Sequence, residues 1–107
     1  LVVAIGEFGR SPEKGVSTSG NNNSADGRDH WPYCYTSVIG GAGIKRGYVH
    51  GASDKVGAYP ADKPVRPDDL AATIFYLLGI DPKTEVHDVG NRPIAISAGE
   101  PIMDIIA

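Results

Sequence analysis

The feature that most constrains the fold of this chain is a single strong helical pattern in residues 67–79. Pro67 suits the first helical position, and Asp68 and Asp69 meet the positive end of the helix dipole. Gly79 fits the left-handed conformation that commonly ends a helix. Apolar residues recur at helical spacing and form one stripe that must pack against another element: Leu70, Ile74, Leu77 and Leu78. We therefore predict one helix, which covers one face of a sheet.

Three short segments carry strand patterns, and the first sets the expected type of sheet. Residues 1–5 form a continuous apolar run, which is typical of a strand buried on both faces of a parallel sheet. Residues 36–39 and 48–50 are the other two candidates. We predict an α/β fold in which a small, mostly parallel sheet is packed by the helix.

Such a sheet and helix give only a thin core for a domain of this size. We therefore expect residues 1–107 to be a single region that is the C-terminal fragment of a larger α/β domain. The alternative is a homo-oligomer, in which a second copy of the chain pairs with the open edge of the sheet.

Composition and charge narrow the classes of function. The chain has 10 Lys and Arg against 13 Asp and Glu, a net charge of −3, so we expect no nucleic-acid partner. No apolar run approaches the ~18 residues needed to cross a bilayer, and we expect no transmembrane segment. Cys34 is the only cysteine, which rules out an internal disulfide, and its apolar neighbours favour an inert thiol.

Candidate metal ligands lie on both sides of a polar loop. Glu7 follows the first predicted strand, and Asp29 and His30 follow residues 15–28, which we predict to be a flexible loop because they hold one branched apolar residue. Carboxylate oxygens and an imidazole nitrogen suit zinc or a similar divalent ion. The alternative is that these residues are surface or hydrogen-bonded core residues without a ligand.

Two arginines flank the same loop and are candidate substrate-binding residues. Arg10 and Arg28 offer guanidinium groups that suit a small anionic ester, such as a phosphate or sulfate ester. The alternative for Arg28 is a carboxylate partner within the chain, such as Asp26 or Asp29. We interpret His50 as structural, because it follows an apolar residue in a predicted strand.

Several motifs occur in an order that resembles a known family. They are Gly-Glu-Phe-Gly-Arg-Ser-Pro (6–12), Gly-Arg-Asp-His-Trp-Pro (27–32), Ser-Val-Ile-Gly-Gly-Ala-Gly-Ile (37–44), Gly-Ala-Ser-Asp-Lys-Val-Gly-Ala-Tyr-Pro (51–60) and Asp-Leu-Ala-Ala-Thr-Ile-Phe-Tyr-Leu-Leu-Gly-Ile-Asp (69–81). Together they resemble the C-terminal part of an uncharacterised, sulfatase-like bacterial family placed in the alkaline phosphatase superfamily. The resemblance covers nearly the whole chain.

The resemblance implies an α/β sandwich whose active site holds divalent metals, with zinc, calcium and manganese as candidates. Glu7 and His30 stand where that superfamily has metal ligands, whereas Phe8 stands where it has a histidine. The resemblance also implies an extracytoplasmic setting. Two hypotheses follow: the chain is the metal-site lobe of a sulfatase- or phosphatase-like hydrolase, inactive without the upstream nucleophile, or it is a binding or structural domain that has lost the metal chemistry.

Overall fold

The computed structural model describes residues 1–20 and 23–107. Within them, one α-helix and one short 3-10 helix accompany eight strands of two or three residues. The α-helix is α1 (Pro67–Leu77), and the 3-10 helix spans Met103–Ile105. The strands are β1 (Val2–Ala4), β2 (Gly9–Arg10), β3 (His30–Trp31), β4 (Val38–Gly40), β5 (Ala52–Ser53), β6 (Pro60–Asp62), β7 (Glu85–His87) and β8 (Pro93–Ala95).

The chain divides into two compact units. One consists of Leu1–Val2, Gly40–His50 and Val65–Ala107, and it contains α1 and the β7–β8 hairpin. The other consists of Val3–Ile39 and Gly51–Pro64, and it contains the β2–β3 and β5–β6 pairs. Asn21 and Asn22, which belong to the loop predicted to be flexible, lie outside the described residues.

The predicted helix is confirmed, and its ends follow from local chemistry. Arg66 is the N-cap, and its backbone N–H donates to the Asp69 carboxylate at 3.1 Å. At the other end, Gly79 has a φ of +79°. The Gly79 N–H donates to the Tyr76 carbonyl, and the Ile80 N–H donates to the Phe75 carbonyl, which is the Schellman pattern of helix termination. No helix in the described part of the chain is long and apolar enough to cross a membrane.

The apolar stripe of the helix is only half-buried at Leu70, Ile74 and Leu77, and the fully buried residues lie beside it. Ala72 and Thr73 are fully buried, whereas Leu78 of the stripe is 58% exposed. The segment that follows β8 packs on the buried face, and it does so through polar contacts. The Thr73 hydroxyl accepts from the Ile102 N–H at 2.9 Å, and Gly99 approaches the backbone of Asp68 so closely that a Cβ atom would overlap it. An extended segment of chain therefore covers α1 where we expected a sheet.

The prediction of a small, mostly parallel sheet is wrong. The described strands form four two-stranded sheets, β1–β4, β2–β3, β5–β6 and β7–β8, and no parallel sheet is seen among them. The last three pairs are antiparallel. A parallel pair requires a long crossover, usually through a helix, and the helix of this chain leads instead into the β7–β8 hairpin.

Two further strand predictions need correction. The first apolar run does form β1, but Val2 is 71% exposed, so this strand is not buried on both faces. Residues 48–50 form no strand. Their side chains instead reach across to the C-terminal segment, where Tyr48 and His50 both contact Asp104.

Candidate functional site

The β2–β3 ribbon brings three of the five predicted site residues together. Its antiparallel register places Arg10 opposite His30, and Gly9 opposite Trp31. Because successive side chains of a strand point to opposite faces, Arg10 and His30 share one face, and Trp31 lies on the other. Directly opposed side chains in such a ribbon are neighbours, with Cβ atoms about 5 Å apart. Asp29 immediately precedes His30, at the start of β3.

The Trp31 face of the ribbon is packed. The indole N–H of Trp31 donates to the Ala58 carbonyl at 2.6 Å, and its ring lies 4.9 Å from that of Tyr33 and 5.6 Å from that of Tyr59. Gly9, on the same face, is buried, and a Cβ atom there would overlap the Cys34 carbonyl. The face that carries Arg10 and His30 is therefore the open one.

An aspartate holds the loop that carries Ala58 and Tyr59. The Asp54 carboxylate accepts from the backbone N–H groups of Ala58 at 2.8 Å and of Tyr59 at 3.2 Å. The Ala58 N–H is the main cause that holds the pKa of Asp54 below its ordinary value. This loop therefore fixes two groups that contact Trp31: the Ala58 carbonyl, which accepts from the indole N–H, and the Tyr59 ring.

The Asp29 carboxylate is enclosed by donors from its own chain. It accepts from the backbone N–H groups of Ser19 at 3.0 Å, His30 at 2.7 Å and Thr18 at 2.8 Å, and from the Ser19 hydroxyl at 2.9 Å. These bonds, first that of the Ser19 N–H, hold the pKa of Asp29 far below its ordinary value. Ser11 adds a bond at the backbone, since its hydroxyl accepts from the Asp29 N–H at 3.0 Å. Asp29 thus anchors residues 18 and 19 beside β3.

The other predicted site residues have different surroundings. Arg28 donates to the carbonyl oxygens of Ser11 and Pro12, at 2.8 Å and 2.6 Å, so its guanidinium group serves the local backbone. Arg10 is exposed and makes only a long contact of 3.5 Å with the Arg28 carbonyl. Glu7 is exposed, and no described residue forms a hydrogen bond or ion pair with its carboxylate.

The His30 ring is stacked and accessible. Its centroid lies 3.9 Å from that of Phe8, with an interplanar angle of 31°. No described residue hydrogen-bonds its ring nitrogens, and the residue is exposed. Phe8 therefore orients the imidazole while leaving its nitrogens open to a ligand.

The metal prediction stays a prediction. Within residues 1–20 and 23–107, no three His, Cys, Asp or Glu side chains form a group that could hold a metal ion. Glu7 and His30 have open ligand atoms, but the Asp29 oxygens already accept several hydrogen bonds. Of the three predicted ligands, Glu7 and His30 thus have ligand atoms without a hydrogen-bond partner among the described residues, and Asp29 does not.

Sequence reasoning missed a polar cluster around Asp104. One oxygen of its carboxylate accepts from the Tyr48 hydroxyl at 2.6 Å and contacts Nδ1 of His50 at 3.1 Å. The Lys45 ammonium donates to the Asp104 carbonyl at 2.7 Å. The neighbouring backbone also pairs, through the Ile44–Ile106 bridge. These contacts therefore hold the C-terminal segment in place. His50 takes part in them, which agrees with its interpretation as a structural residue. Nothing in the sequence signals the contact between His50 and Asp104, which are 54 residues apart.

Within the described residues the chain forms short two-stranded ribbons and one α-helix, and an accessible arginine and histidine share one face of the β2–β3 ribbon. Residues 1–106 match the family described as "Protein of unknown function (DUF1501)", and the chain belongs to that family. No curated protein and no solved structure matches the chain.

The family match corrects the resemblance that we drew from the motifs. No sulfatase or alkaline phosphatase family matches the chain, so the assignment to a sulfatase-like branch of the alkaline phosphatase superfamily is wrong. The α/β sandwich that this assignment implied is also wrong, because the described strands pair as two-stranded sheets. Short motifs of Gly, Asp and His occur in many folds, and their order alone did not identify this one.

Proposed function

We propose that this chain is a binding region that holds a small anionic ester group, phosphate or sulfate, on the open face of the β2–β3 ribbon. The observation that carries the proposal is the register that sets Arg10 opposite His30. A guanidinium fork and an imidazole N–H both donate to the oxygens of such anions. Neither side chain is committed elsewhere, apart from the long contact between Arg10 and the Arg28 carbonyl.

The surroundings of the pair support an anion as the ligand. The Asp29 carboxylate lies next to His30, but its charge is compensated by the N–H and hydroxyl donors that enclose it. The packed Trp31 face and the Phe8 ring hold the ribbon and the imidazole in place, so less side-chain freedom is lost on binding.

Trp31 provides a built-in reporter, because it is the only tryptophan in the chain and the immediate neighbour of His30. We would titrate the full chain with sodium phosphate, sodium sulfate and p-nitrophenyl phosphate at constant ionic strength, and follow Trp31 fluorescence and the His30 ring signals by NMR. Saturable changes at both residues are expected. Arg10→Ala should weaken binding about fivefold, as expected for one exposed charge pair.

Arg46 supplies the matched control, because it is an exposed arginine in the other compact unit. Arg46→Ala should leave the titration unchanged. Equal losses in the two variants would mean that the anions respond to net charge alone, and the proposed site would then be abandoned. His30→Gln tests the second donor in the same way.

A metal-dependent hydrolase lobe is the second candidate function. In this proposal Glu7 and His30 hold a divalent ion, zinc, calcium or manganese, while Arg10 holds the anionic ester. The other predicted participants, Asp29 and Arg28, are already engaged in hydrogen bonds within the chain. The favouring observation is that the Glu7 carboxylate and the His30 ring nitrogens accept no hydrogen bond from the described residues. Such an ion would polarise the ester oxygen and stabilise developing negative charge.

Elemental analysis by mass spectrometry tests the second candidate. The chain and its His30→Ala variant would be equilibrated with zinc, manganese or calcium and then desalted. Stoichiometric metal in the parent chain that is lost in His30→Ala supports the hydrolase lobe. Metal at the same level in both proteins, or in neither, removes these residues as ligands and leaves the anion-binding proposal standing.

We also propose self-association through the β7–β8 hairpin. The cross-strand pair Val86 and Ile94 is 52% and 50% exposed, and a two-stranded sheet has unpaired backbone edges. A strand of a second copy that adds to this edge would place its own side chains beside the apolar pair. Sedimentation velocity should show a dimer that dissociates in Val86→Lys, and a monomer at all accessible concentrations would refute this.

A further inference from the structure

The C-terminal end of α1 opens into a cavity that the proposed anion site does not use. Its volume is about 420 Å³, and it is lined by Tyr76, Gly79, Ile80, Asp81 and Pro82. The Schellman turn at Gly79 reverses the chain, which places Ile80 and Asp81 beside the last turn of the helix. Tyr76, Ile80 and Asp81 therefore line the same concave site.

The charges around this cavity are negative. The last turn of a helix carries the negative end of the dipole, and α1 has no basic residue there to compensate for it. Asp81 adds a carboxylate, whose Oδ1 accepts from the Lys83 backbone N–H at 2.9 Å. The Lys83 ammonium itself lies 3.6 Å from Glu100, and no described cation forms an ion pair with Asp81.

The residues that line the cavity favour an organic cation over a metal ion. A small hydrated metal ion needs several oxygen ligands, whereas this cavity offers one carboxylate and mostly apolar surface. An alkylated ammonium group instead places its charge near a carboxylate and its methyl groups against an aromatic face. Tyr76 and Ile80 are both exposed, so a ligand can reach these surfaces.

We propose that this cavity binds a small organic cation with a trimethylammonium group, with Asp81 as its counter-ion and Tyr76 as its aromatic wall. The proposal is independent of the anion site, because all five lining residues belong to the unit that contains α1.

The test uses two ligands of the same shape that differ in charge. Choline chloride and 3,3-dimethyl-1-butanol would be titrated into the full chain at constant ionic strength, with the backbone amides of Gly79 and Ile80 followed by NMR. Saturable shifts in the millimolar range are expected with choline and not with the neutral alcohol. Identical responses to both ligands would overturn the proposal.

Two variants and a control locate the interaction. Asp81→Asn preserves the acceptor for the Lys83 N–H, and Tyr76→Leu preserves helix propensity, so both should fold. Each should weaken choline binding about threefold, the size expected for one exposed charge or cation–π contact. Asp62→Asn, an exposed carboxylate in the other unit, should have no effect. An equal loss with all three variants would refute a site at α1.

Co-sedimentation with phosphatidylcholine vesicles distinguishes a lipid head group from a free cation as the ligand. Co-sedimentation that is lost in Asp81→Asn and Tyr76→Leu would assign the trimethylammonium group to a lipid. Choline binding without co-sedimentation would assign it to a soluble ion. Either result supports the cavity as an ammonium site, and the absence of both kinds of binding refutes it.

Discussion

Replacing the Thr73 hydroxyl should weaken the attachment of the C-terminal segment to α1. Thr73 is fully buried, donates to the Asp69 carbonyl at 2.7 Å and accepts from the Ile102 N–H at 2.9 Å. Thr73→Val keeps the shape of the side chain but leaves the Ile102 N–H without its acceptor. An unsatisfied buried donor costs about 1–3 kcal/mol, so we expect the free energy of unfolding to fall by about 2 kcal/mol.

Thr73→Ser is the matched control, because it keeps the hydroxyl and removes one methyl group. Loss of a buried methyl costs about 1 kcal/mol. Urea unfolding followed by circular dichroism measures both changes, and amide exchange at Ile102 should accelerate only in the Val variant. If Thr73→Ser is the more destabilising of the two, then methyl packing holds the segment and the hydrogen-bond argument is refuted.

Three other perturbations probe contacts made by the tertiary structure. Gly99→Ala should cost about 1–3 kcal/mol in urea unfolding, because a Cβ atom there overlaps the start of α1, whereas Gly40→Ala meets no atom within 4 Å and serves as its control. The pKa of Asp29 is lowered on folding, so its contribution is present above the ordinary value of 3.8 and is lost as the pH falls below it. Amide exchange at Ser19 should therefore be slow at pH 5 and accelerate in strong acid, and an Asp29→Asn variant that shows the same acid response would contradict this. Asp104→Ala should lower stability by about 1 kcal/mol, since the carboxyl is 42% exposed, and unchanged unfolding would show that its contacts do not hold the C-terminal segment in place.

The helix and its ends could be predicted from sequence because their causes are local. Pro67, Asp69 and Gly79 act within one turn of the helix, through φ, capping and the left-handed C-cap, whatever packs around them. The stripe that includes Leu78 was less informative, since periodicity gives an apolar face but not the element that covers it.

The sheet and the candidate site depended on contacts that sequence spacing does not encode. Residues 1–5 have the apolar composition of a buried parallel strand, yet burial is a property of neighbours, and β1 pairs only with β4 among the described strands. The surroundings of Asp29 also depend on distant neighbours, although its residue type suggests a metal ligand. Its oxygens are occupied because residues 18 and 19 return to it.

The sequence by itself determined the helix, its termini, the net charge of −3 and the candidate residues for binding an anion. Only the tertiary structure decided that Arg10 faces His30, that Arg28 serves backbone carbonyls and that Asp104 gathers side chains from residues 45–50. The physical reason is the distance along the sequence over which each kind of interaction acts. Propensity and capping act over about four residues, whereas register and hydrogen-bond partners depend on which distant backbone segments meet.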